Sequence, residues 1–174
     1  MRTTWSIAFV TTVLALCLLA CVGVGDVGAA QPIGAEMHRR TVVFGHSLRG
    51  RPLVAQVLGA DTAPRKILLV GCIHGNECAG RAILSSLARR AAPAGVQLWL
   101  VLSVNPDGET DDTRQDARGV DLNRNFPYQW RHVTGPTYYS GPRPLSEPET
   151  RAAVRLIARV KPNVTVWYHQ HEDL

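Results

Sequence analysis

Three short, largely apolar runs constrain this chain more than any other feature. Residues 67–70 (Ile-Leu-Leu-Val), 96–104 and 164–168 are too short for core helices and too continuous for strands with one wet face. Runs of that kind are strands buried on both faces, which occur where helices cover a sheet on each side. The intervening segments supply the helices. Residues 77–90 have helical composition, with Ala79, Ile83, Leu84 and Leu87 expected on one side. A second helix opens at Ser146-Glu147-Pro148-Glu149, where Ser146 and Glu149 have capping-box spacing and Pro148 is tolerated in the first turn. Its Val154, Leu156, Ile157 and Val160 face the core, Arg151, Arg155 and Arg159 face solvent, and Lys161-Pro162-Asn163 ends it. Residues 41–44 and 52–58 read as a hairpin with a loop longer than two residues. The predicted class is α/β, a three-layer α/β/α arrangement around a mixed, mostly parallel central sheet.

In such sheets the reactive groups gather at the carboxyl ends of the strands. His74 follows the first buried run, Asn105 the second and His169 the third. His74-Gly75-Asn76-Glu77 places an imidazole and a carboxylate three residues apart at a strand-to-helix turn. A borderline metal such as zinc accepts both donor types, and a third distant ligand leaves a coordination position for water. His169 is the expected third ligand because it ends the strand directly, and His171 is the rival. His171-Glu172 also starts an HExxH-like pattern, but no second His follows it. The HxxE pattern alone is weak evidence. Residues 105–141 are rich in Gly, Pro, Asp and Asn, and a connection that long in a compact domain is usually functional.

Several segments resemble, in order, the metallocarboxypeptidases of the carboxypeptidase A superfamily, and most of all their short bacterial branch, which includes murein peptide amidases. They are Gly45-x-Ser47-x-x-Gly50-Arg51-Pro52, His74-Gly75-Asn76-Glu77 and Asn105-Pro106-Asp107-Gly108. Then come Gly119-Val120-Asp121-Leu122-Asn123-Arg124-Asn125-Phe126-Pro127, Gly141-x-x-Pro144-x-Ser146-Glu147-Pro148-Glu149-Thr150 and the run ending in His169. The resemblance implies one zinc ion held by His74, Glu77 and His169, and hydrolysis of peptide or amide bonds near a free carboxylate. It implies that Asn123 and Arg124 grip that carboxylate, as a guanidinium can in two parallel hydrogen bonds. It implies that Arg114 stabilises the developing oxyanion, with Arg118 as the rival. Asp107 and Asp121 are expected to be turn formers or members of the site, with the turn role favoured for Asp107. The family's general-base Glu lies well downstream of the third ligand, whereas this sequence stops at Leu174, five residues after His169. The rival reading is therefore a truncated, inactive zinc- or peptide-binding remnant.

The first 30 residues have the layout of an export signal. Arg2 precedes an apolar stretch at 5–24, followed by Val27-Gly28-Ala29-Ala30. Leu18-Leu19-Ala20-Cys21 offers a lipoprotein reading, and the apolar stretch is also about long enough to anchor in a membrane. Residues 31–174 then form the N-terminal portion of the catalytic domain. The protein is expected to be secreted or held at the cell envelope, to act as a monomer, and to touch a membrane only through that N-terminal segment. A formal charge of +5 with no block of like charge argues against a nucleic-acid partner and leaves peptide or murein-peptide substrates. Beyond residue 30 only Cys72 and Cys78 remain, flanking the HGNE segment. They are either a disulfide pair in an oxidising compartment or, the favoured reading, two small buried residues.

Overall fold

The computed structural model describes residues 38–170. Signal-segment residues, His171 and Glu172 lie outside that range. Five strands form one sheet in the order β1-β2-β4-β3-β5: β1 (Arg39–His46), β2 (Pro52–Leu58), β3 (Arg65–Val70), β4 (Val96–Val101) and β5 (Val164–Trp167). The three apolar runs form the parallel part, with β3 pairing in parallel with both β4 and β5. The β1–β2 hairpin joins antiparallel through β2 to β4, so the described pairings divide evenly between parallel and antiparallel.

Strand periodicity divides the core between two faces. Leu68, Val70, Trp99, Val101, Ala55 and Val57 point to one face and pack with Leu156 and Val160 of α3 (Pro148–Val160). Leu69, Leu98, Leu100 and Leu58 point to the other and pack with Leu84 of α1 (Gly80–Leu87). The two helices therefore lie on opposite faces, giving the expected three layers. Strand β5 is the last in the sheet order, and its Val164 and Val166 are exposed.

Local details depart from expectation where tertiary contacts override pattern. Helix α1 begins three residues later than expected. Ala79 precedes it, Ile83 is 47% exposed, and the buried positions are Gly80 and Leu84. Gly80 sits so close to Gly71 and Tyr168 that any Cβ there would collide with them. This approach seats α1 against the sheet and turns the 80/84/87 stripe inward, leaving Ile83 outside. The Ser146–Glu149 capping box does not form. Glu147 is the N-cap, without a side-chain cap bond, and the Glu149 carboxylate instead accepts the Leu48 N–H at 2.7 Å.

The long connection is built rather than irregular. It contains α2 (Pro106–Asp111) and a 3-10 turn at Leu122–Arg124. Two fully buried asparagines organise it. Asn105 caps α2 through Gly108 N–H and donates to the carbonyls of Ile73 and Gln115. Asn125 donates to Ser140 and Ser146 and accepts from Glu147 N–H and the Thr150 hydroxyl, tying the loop to the start of α3. Asp107, favoured in sequence as a turn former, is a fully buried acceptor: it takes bonds from Ser47 Oγ, Arg49 N and Arg51 Nη1. Asp107 thus holds the 45–52 loop against α2.

Truncating α1 tests the assigned face. Leu84→Ala should cost about 2–5 kcal/mol, as expected for a fully buried Leu, whereas Ile83→Ala should stay within about 0.5 kcal/mol, as for a surface change. Urea denaturation of the two variants measures both, and equal losses would contradict the packing.

Candidate functional site

The site forms where three parallel strands end. Backbone bonds continue the pairing past the strands, from Gly71 N to Val101 O, Val104 N to Cys72 O and Tyr168 N to Val70 O. They bring residues 72–74, 104–105 and 168–169 to one place. Directly after β3 the chain turns at His74–Glu77, closed by Glu77 N–H to His74 O at 2.9 Å. Gly75 is required there, since a Cβ would run into the Gly108–Glu109 peptide of α2. A disulfide between Cys72 and Cys78 spans the same turn, with Cα atoms 4.7 Å apart. The favoured expectation of two unpaired buried cysteines is therefore corrected: the tight turn brings the two Cβ atoms within bonding reach.

Glu77 is the meeting point. Its Oε2 lies 3.0 Å from His74 Nδ1 and 3.2 Å from His169 Nδ1, and its Oε1 accepts from Arg114 Nη1 at 2.7 Å. The two imidazole rings are 4.9 Å apart, and one donor atom from each of His74, Glu77 and His169 lies within 4.8 Å of the others. His74 is buried, whereas the His169 side chain is 37% exposed, so the group opens to solvent on one side.

Asp121 completes the arrangement. Its Oδ1 lies 3.0 Å from His74 Nε2, and its Oδ2 accepts from Arg114 Nε at 3.0 Å. The same carboxylate also caps the 3-10 turn through Asn123 N–H. Asp121 is thus both the turn former and the support of two site residues. Burial opposes ionisation of Glu77, but bonds from His74 and His169, with the charges of His74 and Arg114, hold its carboxyl below the usual range. Asp121 is likewise held low: burial is outweighed by His74 and Arg114. Both therefore stay anionic at neutral pH.

Arg114 and Arg118 are clearly separated. Arg114 is 14% exposed and bonds to Glu77 and Asp121, while Arg118 is half exposed and lies 3.7 Å from Glu147. Asn123 and Arg124 are exposed on the 3-10 turn. The guanidiniums of Arg114 and Arg124 both approach the ring of Tyr138, at 5.2 and 5.6 Å from its centroid. Tyr138 was missed in the sequence because nothing local marks it. Gln170 was missed too; its side chain accepts Ala79 N–H at 2.9 Å and links the end of β5 to the start of α1.

The donor chemistry fits zinc. Two imidazoles and one carboxylate converge on a space open on one side, and the remaining His74 nitrogen is directed at a carboxylate, as is common for metal-bound histidine. Replacing Asp121 with Asn keeps a hydrogen-bonding group but removes the charge. Asp121→Asn should weaken zinc affinity about 10- to 100-fold, measured by competition with a chromophoric chelator. An unchanged affinity would remove Asp121 from the support of His74.

Among the described residues, no helix is long and apolar enough to cross a membrane. A zinc carboxypeptidase family profile matches residues 36–174. Murein peptide amidase A of Escherichia coli K12 is 36% identical over 139 residues, covering 72% of this chain and 57% of that protein. Murein peptide amidase A of Vibrio campbellii is 31% identical, covering 73% and 56%. This chain thus spans little more than half the length of these relatives. The crystal structure of the murein-tripeptide amidase from Escherichia coli O157 superposes with a TM-score of 0.63 at 34% identity, covering 75% of this chain and 61% of the other. Carboxypeptidase A from Helicoverpa armigera shares the fold, with a TM-score of 0.66 at 19% identity over 77% of this chain and 41% of the other. With the family profile matched across residues 36–174, the chain belongs to the zinc carboxypeptidase family.

Proposed function

We propose that the chain binds one zinc ion through His74, Glu77 and His169 and takes part in hydrolysing peptide or amide bonds beside a free carboxylate, with murein peptides as the substrate class. The convergence of both imidazoles on Glu77, with Arg114 alongside, carries this reading. The murein assignment rests on the named relatives. Zinc bound by this donor set polarises a carbonyl and lowers the pKa of water to about 7.

The protein's own groups have separate tasks. Glu77 and Asp121 hold the Arg114 guanidinium from two sides, so its position is fixed before substrate arrives. Its charge lies beside the ligand group, where negative charge would develop on a carbonyl oxygen. Arg124 is exposed and free to swing to a carboxylate, and Tyr138 offers its ring to both arginines. Asn123 adds an amide beside Arg124. Export through the N-terminal segment, to the envelope or beyond, suits a murein substrate, and the working unit is a monomer.

The test is zinc content together with hydrolysis of a murein tripeptide and of the same peptide with its terminal carboxylate amidated. One zinc per chain and a preference for the free acid are expected. Loss of a charged hydrogen-bonding partner costs about 1.5–3 kcal/mol, so Arg124→Ala should lower kcat/KM about 10- to 100-fold for the acid and little for the amide. Stoichiometric zinc without turnover selects the zinc- or peptide-binding remnant. A folded chain that retains no zinc overturns the ligand assignment.

A further inference from the structure

A second group of acidic side chains lies away from the His74 site, between the 112–121 loop and the start of α3. Asp116, Glu147 and Glu149 are 4%, 0% and 0% exposed. Each has one satisfied oxygen. Asp116 Oδ1 accepts from the backbone of Arg118 and Val120, Glu147 Oε1 accepts from Ser146 Oγ, and Glu149 Oε1 accepts from Leu48 N. Each also has one oxygen that is buried and has no hydrogen-bond partner. One oxygen from each residue lies within 4.8 Å of the other two.

Three buried carboxylates cannot all remain charged without compensation. Among the described residues, Arg118 is ion-paired with this group: its Nη1 is 3.7 Å from Glu147, and its side chain is half exposed. The N-terminus of α3 adds about half a positive charge. Together these leave more than one negative charge uncompensated in a dry region. A single proton would let one acid donate to one neighbour, satisfying two orphan oxygens and stranding the third. One divalent ion satisfies all three at once. An all-oxygen donor set selects a hard cation, and calcium accepts carboxylates at about 2.3–2.6 Å in irregular geometry. Ligands around such an ion stand at most about 4.6–5.2 Å apart, and one oxygen from each of the three residues lies within 4.8 Å of the others. Magnesium suits the site less, because it demands near-ideal octahedral geometry, whereas calcium accepts irregular donor sets.

We propose that Asp116, Glu147 and Glu149 form a structural site for one calcium ion, separate from the His74 centre. The ion would pin the N-terminus of α3 to the loop that carries Arg114 and Asp121, coupling calcium to the geometry of the first site. The proposal does not depend on the zinc reading. Burial, with the charges of Glu147 and Glu149, pushes the Asp116 carboxyl up to about 7 against its two backbone N–H bonds. Burial also raises Glu149, helped by the charges of Asp107 and Glu147. Both shifts express the same lack of compensating charge.

Calorimetric titration of calcium chloride into the full chain, with zinc saturating, tests this directly. One calcium per chain is expected. At calcium a hundredfold above Kd the melting temperature should rise by about 5–10 °C. Asp116→Asn keeps the oxygen that accepts from the backbone, and it should abolish both effects without changing zinc stoichiometry. Glu149→Gln serves as the second variant, and the wild-type titration stands without either. A wild-type chain that takes up no calcium and shows no shift overturns the site. In that case a proton balances the charge. Asp116, raised in the folded state, would then destabilise progressively between about pH 4 and 7 in wild type and not in Asp116→Asn.

Discussion

The described structure turns on one carboxylate. Glu77 receives His74 and His169 on one oxygen and Arg114 on the other, so three distant parts of the chain meet on a single side chain. Each partner is delivered differently: His74 by the turn after β3, His169 by the end of β5, and Arg114 by the long loop after α2. A buried anion holds such a group only while its charge is matched. Arg114 and His74 supply that match, His169 adds a hydrogen bond, and a metal ion would supply the charge more strongly. The parallel pairing of β4, β3 and β5 matters because it sets the carboxyl ends of these strands side by side.

The loop between β4 and α3 is the second determinant. Its length would leave many backbone groups unsatisfied if it packed without internal partners. Asn105 and Asn125 remove that difficulty by bonding inward to carbonyls and amides, and Asp121 does so while also supporting His74 and Arg114. The same polar interior explains why acidic residues gather beneath α3. Asp116, Glu147 and Glu149 satisfy one oxygen each through the loop and helix backbone or Ser146, while each keeps a buried oxygen without a hydrogen-bond partner. Order in the loop and order around the arginines are therefore one problem.

The apolar runs were legible because a buried strand leaves a nearly continuous hydrophobic signature, although the third forms an end strand that is largely exposed. They appear as β3, β4 and β5, and the hairpin also lies where expected. The α1 face was misread because Ala79 and Ile83 match helical spacing, while the close approach of Gly80 to Gly71 and Tyr168 sets the rotation. The Ser146 cap was misread because capping is a local rule, and here Ser146 is taken by Asn125 and Glu147. Of the two candidate arginines, spacing alone could not separate Arg114 from Arg118. In the structure their surroundings differ: Arg114 is bonded to Asp121, and Arg118 lies beside Glu147.

By itself the sequence determined the α/β class and the strands that end at the site, since these follow from periodicity, and it offered His74, Glu77 and His169 as candidate ligands through strand placement and the family resemblance. Only the tertiary structure decided what depends on residues far apart in the chain. It paired Cys72 with Cys78, made Asp107 a buried anchor, gave Asp121 a place beside His74 and Arg114 as well as in its turn, and brought Tyr138 to both arginines. It also enclosed three carboxylates with too little positive charge beside them. The reason is physical: spacing along a strand or helix is fixed by backbone geometry, whereas charge compensation and side-chain approach are set by which surfaces the folded chain presses together.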